Sequence, residues 1–130
     1  MGPQAQQNLP KIDAMPHIHL ETTSDLVENA KLPDILESLT LCLSSHETMA
    51  SKAVKSYHTL RSVWVMGEGA PAGFAHCEIA ILNGRPLELR QRIAQSMMEV
   101  MRVHFAESIA DGLVSVTLEL REMDKDTYQK

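Results

Sequence analysis

The residues best suited to chemistry lie in one short stretch, Met15-Pro16-His17-Ile18-His19-Leu20-Glu21. Translation from Met15, followed by removal of that methionine, would leave Pro16 as the amino-terminal residue. A terminal proline is a secondary amine held rigid by its ring, whereas an internal proline nitrogen is an amide with no basicity. An ordinary α-amino group titrates near pH ~8, and an apolar pocket lowers that value by disfavouring the charged form. A terminal Pro16 could therefore act as a general base at neutral pH. With residues 1–15 retained, Pro16 is only a good first residue for a strand, where a missing N–H costs nothing.

Other candidates are weaker. His17 and His19 alternate along an extended chain and so share a face. With His76 from a second strand-like segment and Glu21 or Glu78, they supply the ligand types of a metal site, but nothing in the spacing sets His76 beside the pair, and no metal is expected. Cys42 sits among helical leucines, where a thiolate is disfavoured, and Cys77 sits in an apolar strand pattern. Two scattered cysteines make neither a disulfide framework nor a zinc site, and such usage fits a reducing cytoplasm. His46, His58 and His104 read as surface or helix-end residues. Gly67-Glu68-Gly69 lacks the strand-turn-helix context of a phosphate loop.

The hydrophobic pattern defines the elements that must position these residues. Pro16–Thr22 alternates, with Ile18 and Leu20 on one face and His17, His19 and Glu21 on the other. Asn29–Ser45 reads as a helix, its buried stripe formed by Leu32, Ile35, Leu36, Leu39 and Leu43, with Pro33 near its start. Tyr57–Met66 reads as strand two, and Gly67–Gly73 as a turn. Phe74–Leu82 reads as strand three. Asn83-Gly84-Arg85-Pro86 leads into a long helix whose apolar stripe runs from Leu87 to Ile109, ended by Gly112. Leu113–Glu122 alternates again as strand four. The tail, residues 123–130, is charged and is expected to be loose. The order β-α-β-β-α-β is two β-α-β units in tandem, an α+β fold of ferredoxin-like or similar two-layer type with both helices on one face of a four-stranded sheet. The other face, carrying Ser115, Thr117 and other mixed residues, is expected to be covered by oligomerisation.

Composition narrows the function. The 130 residues suggest one domain, with 1–15 a flexible leader, a remnant of recombinant expression or a misassigned start, and 16–122 the folded unit. Hydrophobic residues make up 44% and aromatics only 4%, so the eight methionines and the aliphatics must supply the core. A net charge of −5 and a pI near 5.6 argue against nucleic acid as a partner. No apolar run approaches the roughly 20 residues of a membrane span, and a cytoplasmic location is expected.

Several motifs taken in order resemble the tautomerase superfamily, and within it the 5-carboxymethyl-2-hydroxymuconate isomerases. They are the Met15-Pro16-His17 start with Glu21, the Phe74-Ala75-His76 strand, the Gly84-Arg85-Pro86-Leu87-Glu88-Leu89-Arg90-Gln91 turn and helix start, and His104-Phe105-Ala106. The likeness spans about residues 15–122. It implies a homotrimer whose sheets enclose a central barrel, with active sites near subunit boundaries. It also implies cofactor-free proton transfer between oxygen and carbon of an unsaturated 2-hydroxy carboxylic acid, in aromatic-compound catabolism. Pro16 then matches the general base, and Arg85 a substrate-binding arginine. The family's other arginine, at the entrance to strand two, falls on Lys55, which keeps the charge but loses the bidentate fork; Arg61 is the alternative if the loop is shifted. Relatives sharing the scaffold perform hydration and dehalogenation, and a chain that keeps its leader would instead be a non-catalytic binding or assembly protein.

Overall fold

The computed structural model describes residues 16–49 and 53–129; the leader expected at 1–15 lies outside the described residues. Strand β1 runs His17–Thr23, a 3-10 turn spans Val27–Lys31, and helix α1 covers Leu32–Ser44. Strands β2, Lys55–Arg61, and β3, Gly73–Leu82, follow. Helix α2, Leu87–His104, and the short helix α3, Ala106–Ala110, precede β4, Val114–Met123.

The four strands form one sheet in the order β2-β1-β3-β4. β1 pairs in parallel with β2, β3 in parallel with β4, and the two units meet along the antiparallel β1–β3 pair. Each unit thus keeps its own two strands adjacent, and the units are not interleaved as in the split β-α-β, ferredoxin-like arrangement. Ile18, Leu20, Ala75, Cys77 and Ile79 project onto the helix-covered face, where they pack with Ile35, Leu39 and Leu43 of α1 and Leu89, Ile93, Met97 and Met101 of α2.

Four expectations need correction. Asn29–Lys31 belong to a 3-10 turn and not to the helix, because Pro33 lacks the N–H that would bond back to residue 29 and carry the α-helical ladder through it. Strand two ends at Arg61 and not at Met66: its partner β1 stops at Thr23, opposite Arg61, and Ser62 onward has no strand to pair with. The long helix breaks at Phe105, whose φ of −103° and ψ of 19° leave the helical range, and the buried apolar stripe ends there, with Leu87 and Ile109 at its expected ends both exposed. The tail is not loose: Tyr128 N–H and Thr127 N–H donate to Asp124 O at 3.0 and 3.1 Å, and Lys125 N–H donates to Asn83 Oδ1 at 3.0 Å.

The uncovered face of the sheet is polar. It presents the Glu21–Arg61 ion pair and the Glu78–Arg121 pair at 3.5 Å. His19 stacks on Tyr57 with centroids 4.6 Å apart and bonds Thr59 Oγ1 at 2.8 Å, while His76 bonds Thr117 Oγ1 at 2.7 Å.

Candidate active site

Pro16 is buried at the entry to β1, and its carbonyl oxygen accepts the backbone N–H of Lys55 at 3.0 Å. Lys55 opens β2 and is the register partner of His17. Because β1 and β2 are parallel, both begin at the same end of the sheet. β3 is antiparallel to β1 with Ala80 opposite His17, so it leaves the sheet at that same end, and Arg85 follows three residues after its last residue, Leu82. The topology thus brings Pro16, Lys55 and Arg85 to one end of the sheet.

Arg85 is held tightly there. Its Nε donates to Thr48 Oγ1 at 2.7 Å, Nη1 to Leu82 O at 3.0 Å, and Nη2 to Thr48 O at 3.1 Å, with Met49 Sδ at 3.9 Å. These contacts engage up to four of the five guanidinium N–H groups and leave at least one free. Partial burial lowers the Arg85 pKa from its ordinary value, and the nearby Glu122 carboxylate opposes that shift; an arginine so placed stays charged. Thr48, which receives two of these bonds, has a φ of 67°, uncommon for a residue with a side chain. Arg85 therefore organises the loop between α1 and β2.

Arg61 lies six residues along β2 from Lys55, about 20 Å away at the usual strand rise, and it is paired with Glu21. It is remote from Pro16 of its own chain. The histidines also separate: His76 stands opposite Glu21, and Glu78 opposite His19, and among the described residues no three His, Cys, Asp or Glu side chains are placed to hold a metal ion. Cys77 is buried and its thiol is pushed up to about 12 by desolvation, with Glu78 adding to the shift. His58 and His46 are partly buried: His58 Nε2 bonds the fully buried Thr22 Oγ1 at 2.7 Å, and His46, just past the end of α1 as expected, bonds Ser96 Oγ through Nε2 at 2.6 Å.

A cleft of about 510 Å3 opens beside Thr48, lined by Glu47, Pro86, Leu87, Glu88 and Arg92. Its two carboxylates, and Arg92 already paired with Glu47 at 3.2 Å, make it a poor receptor for an anion. Sequence reasoning missed Thr48, the Arg85 partner, and Tyr128, whose hydroxyl stands 3.4 Å from His17 Nε2. The signal for Tyr128 was a lone aromatic in a charged tail, in a chain with few aromatics.

The family of 5-carboxymethyl-2-hydroxymuconate isomerases matches residues 16–130. The chain is 26% identical over 110 residues to a 5-carboxymethyl-2-hydroxymuconate Delta-isomerase of Escherichia coli, covering 84% of this chain and 87% of that protein. It superposes on a 5-carboxymethyl-2-hydroxymuconate isomerase of Deinococcus radiodurans R1 with a TM-score of 0.83 at 22% identity, over 90% of this chain and 89% of the other. It also superposes on a fused 4-OT described as a symmetric trimer, with a TM-score of 0.66 at 18% identity, over 88% and 90% of the two chains. No helix among the described residues is long and apolar enough to cross a membrane. With the match beginning at Pro16 and spanning both β-α-β units, the chain belongs to the 5-carboxymethyl-2-hydroxymuconate isomerase family.

Proposed function

We propose that the chain, after removal of residues 1–15, is a cofactor-free isomerase that moves a proton between oxygen and carbon of an unsaturated 2-hydroxy carboxylic acid resembling 5-carboxymethyl-2-hydroxymuconate. The observation that carries this reading is the convergence of Pro16, Lys55 and Arg85 at one end of the sheet in a chain whose family match starts at Pro16. The amine of a terminal Pro16 takes the proton of the 2-hydroxyl and returns one to a distant carbon of the conjugated chain, so base and acid are the same group at two stages. An apolar setting for that amine favours the neutral form that this requires. Lys55 and Arg85 bind the carboxylates, and their positive charge stabilises the oxygen that becomes anionic as the proton leaves.

The active assembly in this reading is a homotrimer in the cytoplasm, serving the breakdown of aromatic compounds. The polar, uncovered sheet face then lines the inside of the assembly, which is compatible with its ion pairs and hydrogen-bonded histidines. The fused 4-OT, a symmetric trimer of similar fold, supports this.

The test is to prepare the chain both with residues 1–15 and beginning at Pro16, and to follow ketonisation of a 2-hydroxymuconate by its ultraviolet absorbance. Turnover confined to the form beginning at Pro16 is the expected result. Equal turnover by the two forms removes the terminal amine from the mechanism. Binding of the acid without turnover in either form favours a non-catalytic binding protein.

A further inference from the structure

The C-terminal segment folds onto the same end of the sheet as Pro16, and its charge and length give no hydrophobic reason to do so. It is built to reach that end. The turn is closed by Asp124, which accepts Asp126 N–H on Oδ1 at 2.9 Å and Tyr128 N–H on its backbone oxygen at 3.0 Å. The turn is pinned to the exit of β3, where Lys125 N–H meets Asn83 Oδ1 at 3.0 Å and Asn83 N–H meets Met123 O at 2.9 Å. The result sets a half-buried Tyr128 edge-on to the His17 imidazole, with centroids 6.2 Å apart and planes at 62°.

The Tyr128 hydroxyl is weakly committed. Its only hydrogen-bond partner among the described residues is His17 Nε2 at 3.4 Å, well beyond the 2.7–2.8 Å of a good hydroxyl bond. His17 is the next residue after Pro16 and the register partner of Lys55, and the two strands run about 4.8 Å apart. A phenol in that position can turn from a long contact with an imidazole to a short one with an anion held by the lysine.

We propose that Tyr128 is a specificity-determining residue of this site, donating its hydroxyl to the carboxylate that Lys55 holds. The inference rests on the reading of this end of the sheet as the substrate site. A lysine is a point charge without a fork, and the phenol supplies a second donor beside it.

The experiment is calorimetric titration of adipate, a six-carbon dicarboxylate, into the 130-residue chain and the form beginning at Pro16, for the natural sequence, Tyr128→Phe and Tyr128→Ala, with isomerase kinetics alongside. Tyr128→Phe keeps the ring against His17 and so keeps any purely structural role of the tail. The expected result is a roughly tenfold weaker adipate Kd and a similar rise in KM for Tyr128→Phe, with kcat within about twofold, as for loss of one hydrogen bond to a charged group. A Tyr128→Phe protein with unchanged Kd and KM overturns the proposal, even if Tyr128→Ala is impaired. Weaker adipate binding in Tyr128→Phe with no turnover by any form sinks the isomerase reading and leaves the contact standing. If the natural sequence does not bind adipate, KM alone decides, and absence of both binding and turnover overturns both readings.

Discussion

The backbone N–H of Lys55 donates to the carbonyl oxygen of Pro16 at 3.0 Å. The proposed base and the backbone that carries Lys55 are thereby fixed to one another by the first rung of a parallel ladder. The rung uses the carbonyl of Pro16 and leaves its nitrogen free of any role in the sheet, which is the condition for that nitrogen to do chemistry.

Replacing Pro16 therefore separates catalysis from folding. Pro16→Ala, in the form beginning at residue 16, keeps the carbonyl and the rung but exchanges a rigid secondary amine for a primary one. A positioned general base is worth roughly 10²–10⁴ in rate, so kcat should fall about 10²-fold or more with little change in melting temperature. Steady-state kinetics with circular dichroism on the same sample checks it, and a variant with near-normal kcat would remove Pro16 from the mechanism.

The loop contacts of Arg85 and its proposed binding of substrate can be pulled apart. Its contacts with Thr48 and Leu82 mean that Arg85→Ala should lose about 1–3 kcal/mol of stability, since buried acceptors are left without donors. Its remaining N–H and charge mean that KM should also rise. Arg85→Lys keeps the charge and loses the fork, so it should recover part of the KM loss and little of the stability. Urea unfolding and KM, measured for both variants, give a two-by-two pattern; parallel changes in both quantities would mean that Arg85 only holds the loop.

The residues of the site differ in how legible they were. Strands β1, β3 and β4 were readable to within one residue, because period-two alternation survives wherever one face is buried. Pro16 and Arg85 were singled out as candidates through motif. What failed were features set by partners distant in sequence. Strand β2 stops where β1 runs out at Thr23, and no local pattern in Ser62–Met66 announces this. Val63 and Val65 have strand-like chemistry yet are 92% and 95% exposed. Tyr128 meets His17 across 111 residues, and a charged tail gives no periodicity from which to infer it. His58 looked like a surface residue because its partner, Thr22, is identified only by the register of β1 against β2.

Two packing features outside the site carry predictions of their own. Glu28, in the 3-10 turn, is buried and accepts Ser108 N–H at 3.0 Å and Ser108 Oγ–H at 2.6 Å, joining the first unit to α3. Glu28→Ala should cost about 3 kcal/mol, because bonds to a charged acceptor are strong and both donors are left buried. A Cβ at position 73 would sit 2.4 Å from Thr23 Oγ1 and 2.6 Å from Asp25 Oδ1, so Gly73→Ala should destabilise by about 1–3 kcal/mol through overpacking. Chemical denaturation measures both; changes below 0.5 kcal/mol would contradict the packing described.

Stability should also fall as the solution is acidified below pH ~6.5, and three histidines set the sign. The pKa values of His17, His46 and His58 all lie below the ordinary 6.5. Desolvation is the leading cause in each, reinforced by Lys55 at His17, by Arg92 at His46 against an opposing Glu47, and by His19 at His58. At His17 the facing group is the phenol of Tyr128. At His58, Thr22 Oγ1 already donates to Asn29 Oδ1 at 2.6 Å, so His58 Nε2 must be the donor to Thr22, and protonation adds charge at Nδ1 without a new internal bond. An unfolded chain with ordinary imidazoles takes up protons first as the pH falls through 6.5, so the unfolded state is favoured there and stability rises with pH across that window. Most carboxylates remain ionised down to pH ~5.5, which isolates the histidine effect between pH 7.5 and 5.5. Urea unfolding at the two values should give a lower midpoint at 5.5, and His58→Asn should narrow the gap. A midpoint that is level or higher at pH 5.5 would mean that these imidazoles are no harder to protonate folded than unfolded.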